Sequence, residues 1–232
     1  MKSKAINLVL LLFVVFFFNT RKAISQPGDR CMPVDSFSKL QLYDGIDITL
    51  ERGDGYYICP GTSDSLENIS IVSENGTLKI RKISGNKYKS PPVIKIVFKE
   101  LTIIDGFSKA NISAKNLITG DSIRVTLKSG AVLYASFDVK YLEASLIEGC
   151  LFKAEGYANQ QNIEVLTKAT FSGFGLEGVN GIVKASTAGT AKVNITENLN
   201  LTATTGGFIN YKGSPALEQK TSLGGKINHE QD

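Results

Sequence analysis

Residues 199–213, LNLTATTGGFINYKG, carry the strongest indication of the fold. Apolar and polar residues alternate on both sides of a short break at residues 205–207, as they do in β-strands that bury one face. Gly206 and Gly207 form the break, and Gly213 ends the second strand. Because glycine bends the backbone without a side chain that would collide with a neighbouring strand, the pair predicts a sharp corner between two strands.

The same strand–break–strand pattern recurs from residue 101 onward, whereas helical periodicity is hard to find. The predicted breaks are 17–24 residues apart and lie at Gly106, Gly130, Gly149, Ala169, Gly189, Gly206 and Gly224. A coil of this length cannot bury its own apolar residues, but coils stacked about 4.8 Å apart can align them in ladders. The predicted inward ladder contains Val125, Leu142, Ile163 and Leu201. The sequence therefore predicts an all-β solenoid.

An antiparallel sandwich or barrel is the alternative architecture, since it also uses short alternating strands. Asn75-Gly76 is a two-residue hairpin signal between two such strands, so we expect a hairpin early in the chain. The later breaks contain small residues more often than Asn-Gly, which favours the solenoid. Several aromatic residues are expected in the core or in stacks: Tyr134, Phe152, Phe171, Phe174, Phe208 and Tyr211.

The chain begins MKSKAINLVLLLFVVFFFNTRKAISQ, with two lysines ahead of an apolar run at residues 5–18. This pattern predicts a signal peptide at residues 1–25, followed by a linker at residues 26–36. A membrane anchor is the alternative, but the run has 14 residues, fewer than the roughly 20 that span a bilayer. No similar run follows, so we expect a mature chain without a transmembrane span, in the periplasm, on the cell surface or outside the cell.

Charge argues against a nucleic-acid partner. The chain has 26 basic and 22 acidic residues, and four of the basic ones, Lys2, Lys4, Arg21 and Lys22, lie in the predicted leader. The mature chain is then neutral by count. No run of lysine and arginine forms the basic footprint that binding to a phosphate backbone requires.

The three cysteines are widely spaced. In an oxidising compartment Cys31 and Cys59 can pair, which leaves Cys150 as a small buried residue of an apolar strand. Lipid attachment at Cys31 is disfavoured, because Gly28-Asp29-Arg30 precedes it and it lies well beyond the apolar run.

No pattern in the chain predicts a catalytic, metal or cofactor site. Residues 173–178 match G-x-G-x-x-G, but a strand follows instead of the helix that a dinucleotide site needs, so a turn is predicted there. His229 is the only histidine and lies near the C-terminus, where we expect it to be solvated. The acidic residues Asp44, Asp47, Glu51 and Asp54 match no calcium loop and are expected at a solvated edge or turn.

The chain resembles the family described as putative auto-transporter adhesin, head GIN domain. The resemblance rests on FSKL at residues 37–40, GIDI at 45–48, GTLKI at 76–80, GGFINYKGSP at 206–215 and GGKI at 224–227. It implies a single-stranded, right-handed parallel β-helix over residues 37–232, at the cell envelope or outside it. Residues 37–100 are expected to form less regular first coils or a cap, and residues 217–232 the last coil. The family brings no catalytic residues, and the chain departs from its usual Ser-Gly breaks at residues 148–150 and 167–170.

These observations lead to one functional hypothesis with two alternatives. The leading hypothesis is a non-enzymatic adhesion or binding module that contacts an envelope or host glycan or protein through its outward polar faces. The alternatives are a polysaccharide lyase or hydrolase, which needs carboxylates and basic residues converging from neighbouring coils, and a purely structural envelope protein.

Overall fold

The computed structural model describes residues 31–61, 66, 68–83 and 91–231. All the regular secondary structure of these residues is β-strand, in one continuous sheet of 17 strands wound into a solenoid of about 7 turns. The predicted all-β solenoid is thus confirmed. The predicted signal peptide at residues 1–25, and the first residues of the linker, lie outside the described part of the chain. No helix in that part has the length and apolarity needed to cross a bilayer.

The strands differ in length between the two halves of the chain, with short strands before residue 115 and long ones between residues 118 and 203. In chain order they are β1 (Met32–Pro33), β2 (Lys39–Leu42), β3 (Asp47–Arg52), β4 (Tyr57–Pro60), β5 (Ile69–Glu74), β6 (Thr77–Lys82), β7 (Val93–Phe98), β8 (Ile103–Gly106), β9 (Asn111–Ala114), β10 (Ile118–Lys128), β11 (Val132–Ile147), β12 (Leu151–Leu166), β13 (Thr170–Ser186), β14 (Thr190–Ala203), β15 (Phe208–Lys212), β16 (Ala216–Thr221) and β17 (Lys226–His229).

Strands β10 to β14 form the regular part of the stack, each paired in parallel with the next. Their apolar residues alternate with polar ones, so one face of every strand points into a continuous core. One inward ladder runs through Val125, Ala144, Ile163, Val183 and Leu201. The prediction that Leu142 belongs to this ladder is wrong.

Leu142 is buried, but it lies two residues before Ala144 and pairs with Ile123 on the preceding strand. Both Leu142 and Ala144 point inward, because residues two apart share one face of a strand. Alternation alone therefore identifies the buried face of a strand but not its register against the next coil.

From β8 onward, each coil turns through two consecutive residues with positive φ, as β2 and β3 also do at Asp44-Gly45. These pairs are Ser108-Lys109, Ser129-Gly130, Glu148-Gly149, Thr167-Lys168, Thr187-Ala188, Thr205-Gly206 and Leu223-Gly224. Three of the predicted breaks are therefore displaced: Ala169 and Gly189 come one residue after their turns, and Gly106 lies inside β8 opposite Leu127. Positive φ is uncommon for residues with a side chain, so turns made by threonine, lysine and alanine escape a search for glycine.

A row of small residues follows these turns and lines one corner of the solenoid. Its members are Ala110, Ala131, Cys150, Ala169, Gly189, Gly207 and Gly225. A Cβ atom added to Gly189 would lie 2.3 Å from the Val165 carbonyl oxygen, and one added to Gly207 would lie 2.2 Å from that of Ala185. The small side chains thus let the backbones of neighbouring coils approach closely at this corner.

The first coils do not stack in the order of the chain. Strands β2 and β3 pair in parallel with β8 and β9 on one side and with β6 and β7 on the other. The segment 37–52 therefore lies inside the stack, between two segments that come later in the sequence. Strand β5 forms an antiparallel hairpin with β6 through Asn75-Gly76, both with positive φ, which confirms the predicted hairpin. Strand β4 runs antiparallel to β7 and β1.

The C-terminal coil ends two of the apolar ladders with polar residues. Strand β15 pairs with residues 190–194 of β14, β16 pairs with residues 198–203, and β17 pairs with β15. The register places Gln219 and Thr221 of β16 beside Leu201 and Ala203, which are fully buried. Both residues of β16 are exposed, so at these two positions the last coil covers apolar residues and presents polar side chains to solvent.

A disulfide joins Cys31 to Cys59 and ties β1 to β4. Cys150 is a free, buried cysteine whose thiol donates a hydrogen bond to the Ile147 carbonyl oxygen at 3.0 Å. Burial raises the pKa of the Cys150 thiol, which lowers the fraction of reactive thiolate at neutral pH.

The double variant Cys31→Ser/Cys59→Ser is expected to lose about 2–4 kcal/mol of unfolding free energy, because the disulfide closes a long loop of the unfolded chain. Urea denaturation measures the loss, and adding a reductant to the natural chain should reproduce it. Cys150→Ala is the control and should unfold near the natural midpoint, since alanine occupies the neighbouring positions of the same row. An unchanged midpoint in the double variant would contradict the expectation.

Candidate ligand-binding groove

An open groove with a volume of about 860 Å³ runs across strands β10 to β14 and β16. Each of these six strands contributes three consecutive residues, and the paired residues of neighbouring strands form three adjacent rows. The middle row points into the core and consists of Ile123, Leu142, Gln161, Gly181, Leu199 and Leu217. The first outer row consists of Ser122, Tyr141, Gln160, Asn180, Asn198 and Ala216. The second outer row consists of Arg124, Glu143, Asn162, Ile182, Asn200 and Glu218.

The groove begins where the strands turn a corner. Backbone pairing between β11 and β12 passes from Val139–Ala158 to Tyr141–Gln160 and omits the pair between them. The regular ladder resumes at the first outer row, where side chains again alternate between the two faces. Because the residues of the middle row point inward, those on both sides of it point outward and form the two walls of the groove.

Carboxamide side chains dominate the central part of the two walls. They belong to Gln160, Asn162, Asn180, Asn198 and Asn200. Asn198 donates a hydrogen bond from Nδ2 to Asn180 Oδ1 at 2.7 Å, and Asn200 donates one to Glu218 Oε2 at 2.9 Å. Within the described residues, no such bond involves the side chains of Gln160 or Asn162, so their donors and acceptors face the groove unengaged.

Two apolar side chains stand out among these amides. Tyr141 and Ile182 are each 51% exposed, which is high for residues of this size. Tyr141 belongs to the first outer row and Ile182 to the second, on strands β11 and β13. The groove therefore offers an accessible aromatic ring and an accessible aliphatic side chain together with neutral hydrogen-bonding groups.

Charged groups occur toward the two ends of the groove. The Arg124 guanidinium donates from Nε to Glu143 Oε2 at 2.8 Å, and this bond together with the carboxylate charge raises the pKa of Arg124. Glu218, at the other end of the same row, accepts the bond from Asn200. The central section between these groups carries no charge.

A buried polar group lies in the middle row. Gln161 is 2% exposed and donates from Nε2 to the Leu176 carbonyl oxygen at 3.2 Å. Its Oε1 atom has no hydrogen-bond partner. A Cβ atom added to Gly178 would lie 2.6 Å from Gln161 Nε2, so this glycine makes room for the amide inside the core.

The G-x-G-x-x-G segment at residues 173–178 lies inside β13, so the prediction of a turn there is wrong. The register between β13 and β14 shifts between Gly173 and Glu177, which marks a bulge within the strand. Glycine is common at such irregularities because it lacks a side chain that must pack. The sequence suggests a turn here because it does not show that pairing continues on both sides of the bulge.

His229 is exposed, as expected, but it belongs to the ordered strand β17. Its ring stacks on Tyr211, with centroids 4.7 Å apart and planes 12° from parallel. Nε2 lies 2.8 Å from the Gly213 carbonyl oxygen. The histidine therefore helps to attach the last strand to the preceding coil.

Of the four early acidic residues, Asp44 and Asp54 are exposed at bends, as expected. Asp47 and Glu51 instead lie half-buried in β3 and contact neighbouring strands. Asp47 accepts a hydrogen bond from Asn111 at 3.0 Å, and Glu51 lies 3.7 Å from the Lys95 ammonium and 3.6 Å from that of Lys115. Throughout the part of the chain that the structure describes, no three His, Cys, Asp or Glu side chains are grouped to hold a metal ion.

The sequence predicts outward polar faces but not the groove itself. One signal was present: polar residues flank the middle row in the triplets Gln160-Gln161-Asn162 and Asn198-Leu199-Asn200. The two triplets occupy equivalent positions on β12 and β14 because both pair with Asn180-Gly181-Ile182 of β13. In this third triplet one flanking residue is apolar. Without the register, the three triplets do not align.

Comparison with known proteins agrees with the sequence resemblance. The sequence model of the family described as putative auto-transporter adhesin, head GIN domain, matches residues 36–215. A search of curated proteins finds no match to the chain.

Solved structures share the fold at low sequence identity. A putative adhesin from Parabacteroides merdae ATCC 43184 has a TM-score of 0.67 and 19% identity, covering 87% of this chain and 95% of its own. A putative lipid binding protein from Parabacteroides distasonis ATCC 8503 has a TM-score of 0.67 and 16% identity, covering 87% and 96%. A putative adhesin from Bacteroides fragilis NCTC 9343 has a TM-score of 0.66 and 17% identity, covering 86% and 94%.

Proposed function

Because the chain belongs to the family described as putative auto-transporter adhesin, head GIN domain, we propose that it is an exported, non-enzymatic binding module. Its ligand lies in the groove across β10 to β14 and β16. The observation that carries the proposal is the groove itself, an open surface of about 860 Å³ with exposed Tyr141 and unengaged amides of Gln160 and Asn162. Such a surface forms many modest contacts with an extended ligand, as solenoid faces do.

Export is supported by the cysteines. The disulfide between Cys31 and Cys59 belongs to an oxidising compartment, since cytosolic thiols are kept reduced. The leader-like residues 1–25 point to the same compartment. The protein then acts in the periplasm, on the cell surface or outside the cell.

The placement of the carboxylates supports binding over glycoside hydrolysis. Glu143 and Glu218 lie in the same outer row and are separated by four strand-to-strand steps, or about 19 Å at the usual spacing of 4.8 Å. Hydrolases place their two carboxyl groups about 5–9.5 Å apart. Arg124 bonds to Glu143 rather than standing beside a second carboxylate.

The groove is poorly suited to an acyl chain. A relative of the same fold is named a putative lipid binding protein, but here Tyr141 and Ile182 are the large exposed apolar residues among the carboxamides of the groove. An acyl chain in this groove would cover the amides without forming hydrogen bonds, and unpaired buried polar groups are costly.

The double variant Tyr141→Ala/Asn162→Ala tests the site. On arrays of glycans, envelope proteins and lipids, it should lose about tenfold or more of the affinity of the natural chain, because both walls of the groove lose a contact. Tyr134→Ala is the matched control: Tyr134 lies on the same strand, β11, is 43% exposed and is not part of the groove. Equal binding by all three proteins would exclude the groove, and a natural chain that binds nothing would favour a purely structural role. Release of a cleaved product would favour an enzyme.

A further inference from the structure

We propose that the ligand of the groove is a neutral, linear polysaccharide that lies parallel to the solenoid axis, an assignment that rests on the proposed function. The direction follows from the geometry of the outer rows. Each row contains six residues, one from each of β10 to β14 and β16. Five steps of about 4.8 Å give a length of about 24 Å, which suits an extended polymer rather than a single small molecule.

The distribution of charge selects a neutral ligand. The central section, on β12 to β14, contains Gln160, Asn162, Asn180, Ile182, Asn198 and Asn200, none of which carries a charge at neutral pH. Tyr141, also uncharged, adjoins it on β11. The Arg124 guanidinium is already bonded to Glu143, and Glu218 contributes a negative charge. An acidic polysaccharide or a nucleic acid needs an excess of cationic groups along its path, which these walls do not provide.

The carboxamides match the hydroxyl groups of a sugar. A hydroxyl group both donates and accepts a hydrogen bond, and a carboxamide also offers donors and an acceptor. The bond between Asn198 Nδ2 and Asn180 Oδ1 orients the two amides and leaves the Nδ2 atom of Asn180 and the Oδ1 atom of Asn198 for a ligand. Amides fixed in this way lose less side-chain entropy when the ligand binds.

Tyr141 and Ile182 suit the less polar surfaces of a sugar ring. A pyranose ring carries C–H groups on its faces, and these pack on flat apolar surfaces while the hydroxyl groups extend to the sides. The half-exposed ring of Tyr141 provides such a surface, with amides of the next strand beside it. The combination of aromatic ring and amides therefore serves both kinds of surface on one sugar.

A peptide strand is a poorer fit. Peptides that add to a sheet bind through a free strand edge. The strands that cross the central part of the groove are paired on both sides, as β12 is with β11 and β13. An extended peptide here could not form a ladder of backbone bonds, and its backbone groups would depend on side-chain amides alone.

The test is titration calorimetry of the mature chain with neutral linear oligosaccharides of increasing length. The comparison ligands are single sugars, acidic polysaccharides, unstructured peptides and anionic vesicles. Affinity should rise with length until the groove is filled, and single sugars should not bind measurably. Raising the salt concentration from about 50 mM to 500 mM should change the affinity by less than about twofold, since screening acts on charged groups. Salt-dependent binding of acidic polysaccharides instead would overturn the assignment.

Variants connect the binding to named side chains. Tyr141→Ala, Asn162→Ala and Asn198→Ala should each weaken oligosaccharide binding by about tenfold, or 1.4 kcal/mol, whereas Tyr134→Ala should leave it unchanged. Matching thermal unfolding curves would exclude loss of folding as the cause. If these variants reduce binding to proteins or vesicles while no neutral oligosaccharide binds, the glycan assignment fails and the groove remains the binding site. If Tyr141→Ala and Asn162→Ala affect no ligand, the groove and the proposed function fail together.

Discussion

Replacement of Phe152 by alanine is expected to lower the free energy of unfolding by about 3–5 kcal/mol, as loss of a buried aromatic side chain does. Phe152 is fully buried and contacts aromatic rings of two neighbouring strands. Its centroid lies 5.8 Å from that of Phe137 and 5.3 Å from that of Phe171, and both ring pairs meet edge to face. The substitution removes apolar burial and both ring contacts, and leaves a cavity that the rigid strands cannot close.

Urea denaturation measured by circular dichroism would quantify this loss. Tyr134→Ala is again the control, because Tyr134 is an aromatic residue of β11 that is 43% exposed and should change stability by less than about 1 kcal/mol. A loss below about 1 kcal/mol for Phe152→Ala would show that the aromatic contacts do not hold the coils together. A change in the slope of the transition would indicate that the solenoid unfolds in sections.

Deletion of residues 217–232 is expected to convert a soluble protein into an aggregating one. The deletion removes β17 and all of β16 except Ala216. It exposes the edge of β14 at Leu199, Leu201 and Ala203, which are at most 2% exposed in the complete chain. An open strand edge with apolar side chains is a template for pairing with another chain. The exposed residues Gln219 and Thr221 of β16 prevent this in the complete protein.

Size-exclusion chromatography with light scattering would measure the outcome. Deletion of residues 230–232 is the control, because it leaves every described strand in place, and that protein should elute as the natural chain does. A truncated chain lacking residues 217–232 that stayed soluble and monomeric would show that the last coil is dispensable as a cap.

The sequence is sufficient to predict the fold class, because stacked coils repeat the same alternation of apolar and polar residues. It is less informative about register. Val125, Ile163 and Leu201 share one ladder, but the matching residue of β11 is Ala144, and alanine is a weak hydrophobic signal beside Leu142. The turns at Lys109 and Lys168 are missed for a different reason. Both residues adopt positive φ, which is uncommon for lysine, so the residue type does not predict a turn.

The groove depends on information that no local pattern contains. Asn162, Ile182 and Asn200 become neighbours only through the parallel register of three strands. Glycine adjoins the corner on β10 and β13, at Gly120 and Gly178, but not on β11 or β12, so it does not mark the corner consistently. Tyr134 shows the same limit. It is expected in the core or in a stack as an aromatic residue, yet it lies on the outward face because its neighbours Leu133 and Ala135 point inward.

The position of residues 37–52 inside the stack constrains the order in which the chain can fold. Strands β2 and β3 pair only with strands from residue 77 onward, and Gln41 bonds to Asp105, 64 residues later. A polypeptide that emerges N-terminus first therefore has no partner strand for β2 until residue 77, about a third of the way along the chain, and none for β3 until residue 93. Such distant contacts require the closure of long loops, which slows nucleation. Strands β6 to β9 must first pair with β2 and β3. Only then can the solenoid grow by the successive addition of coils.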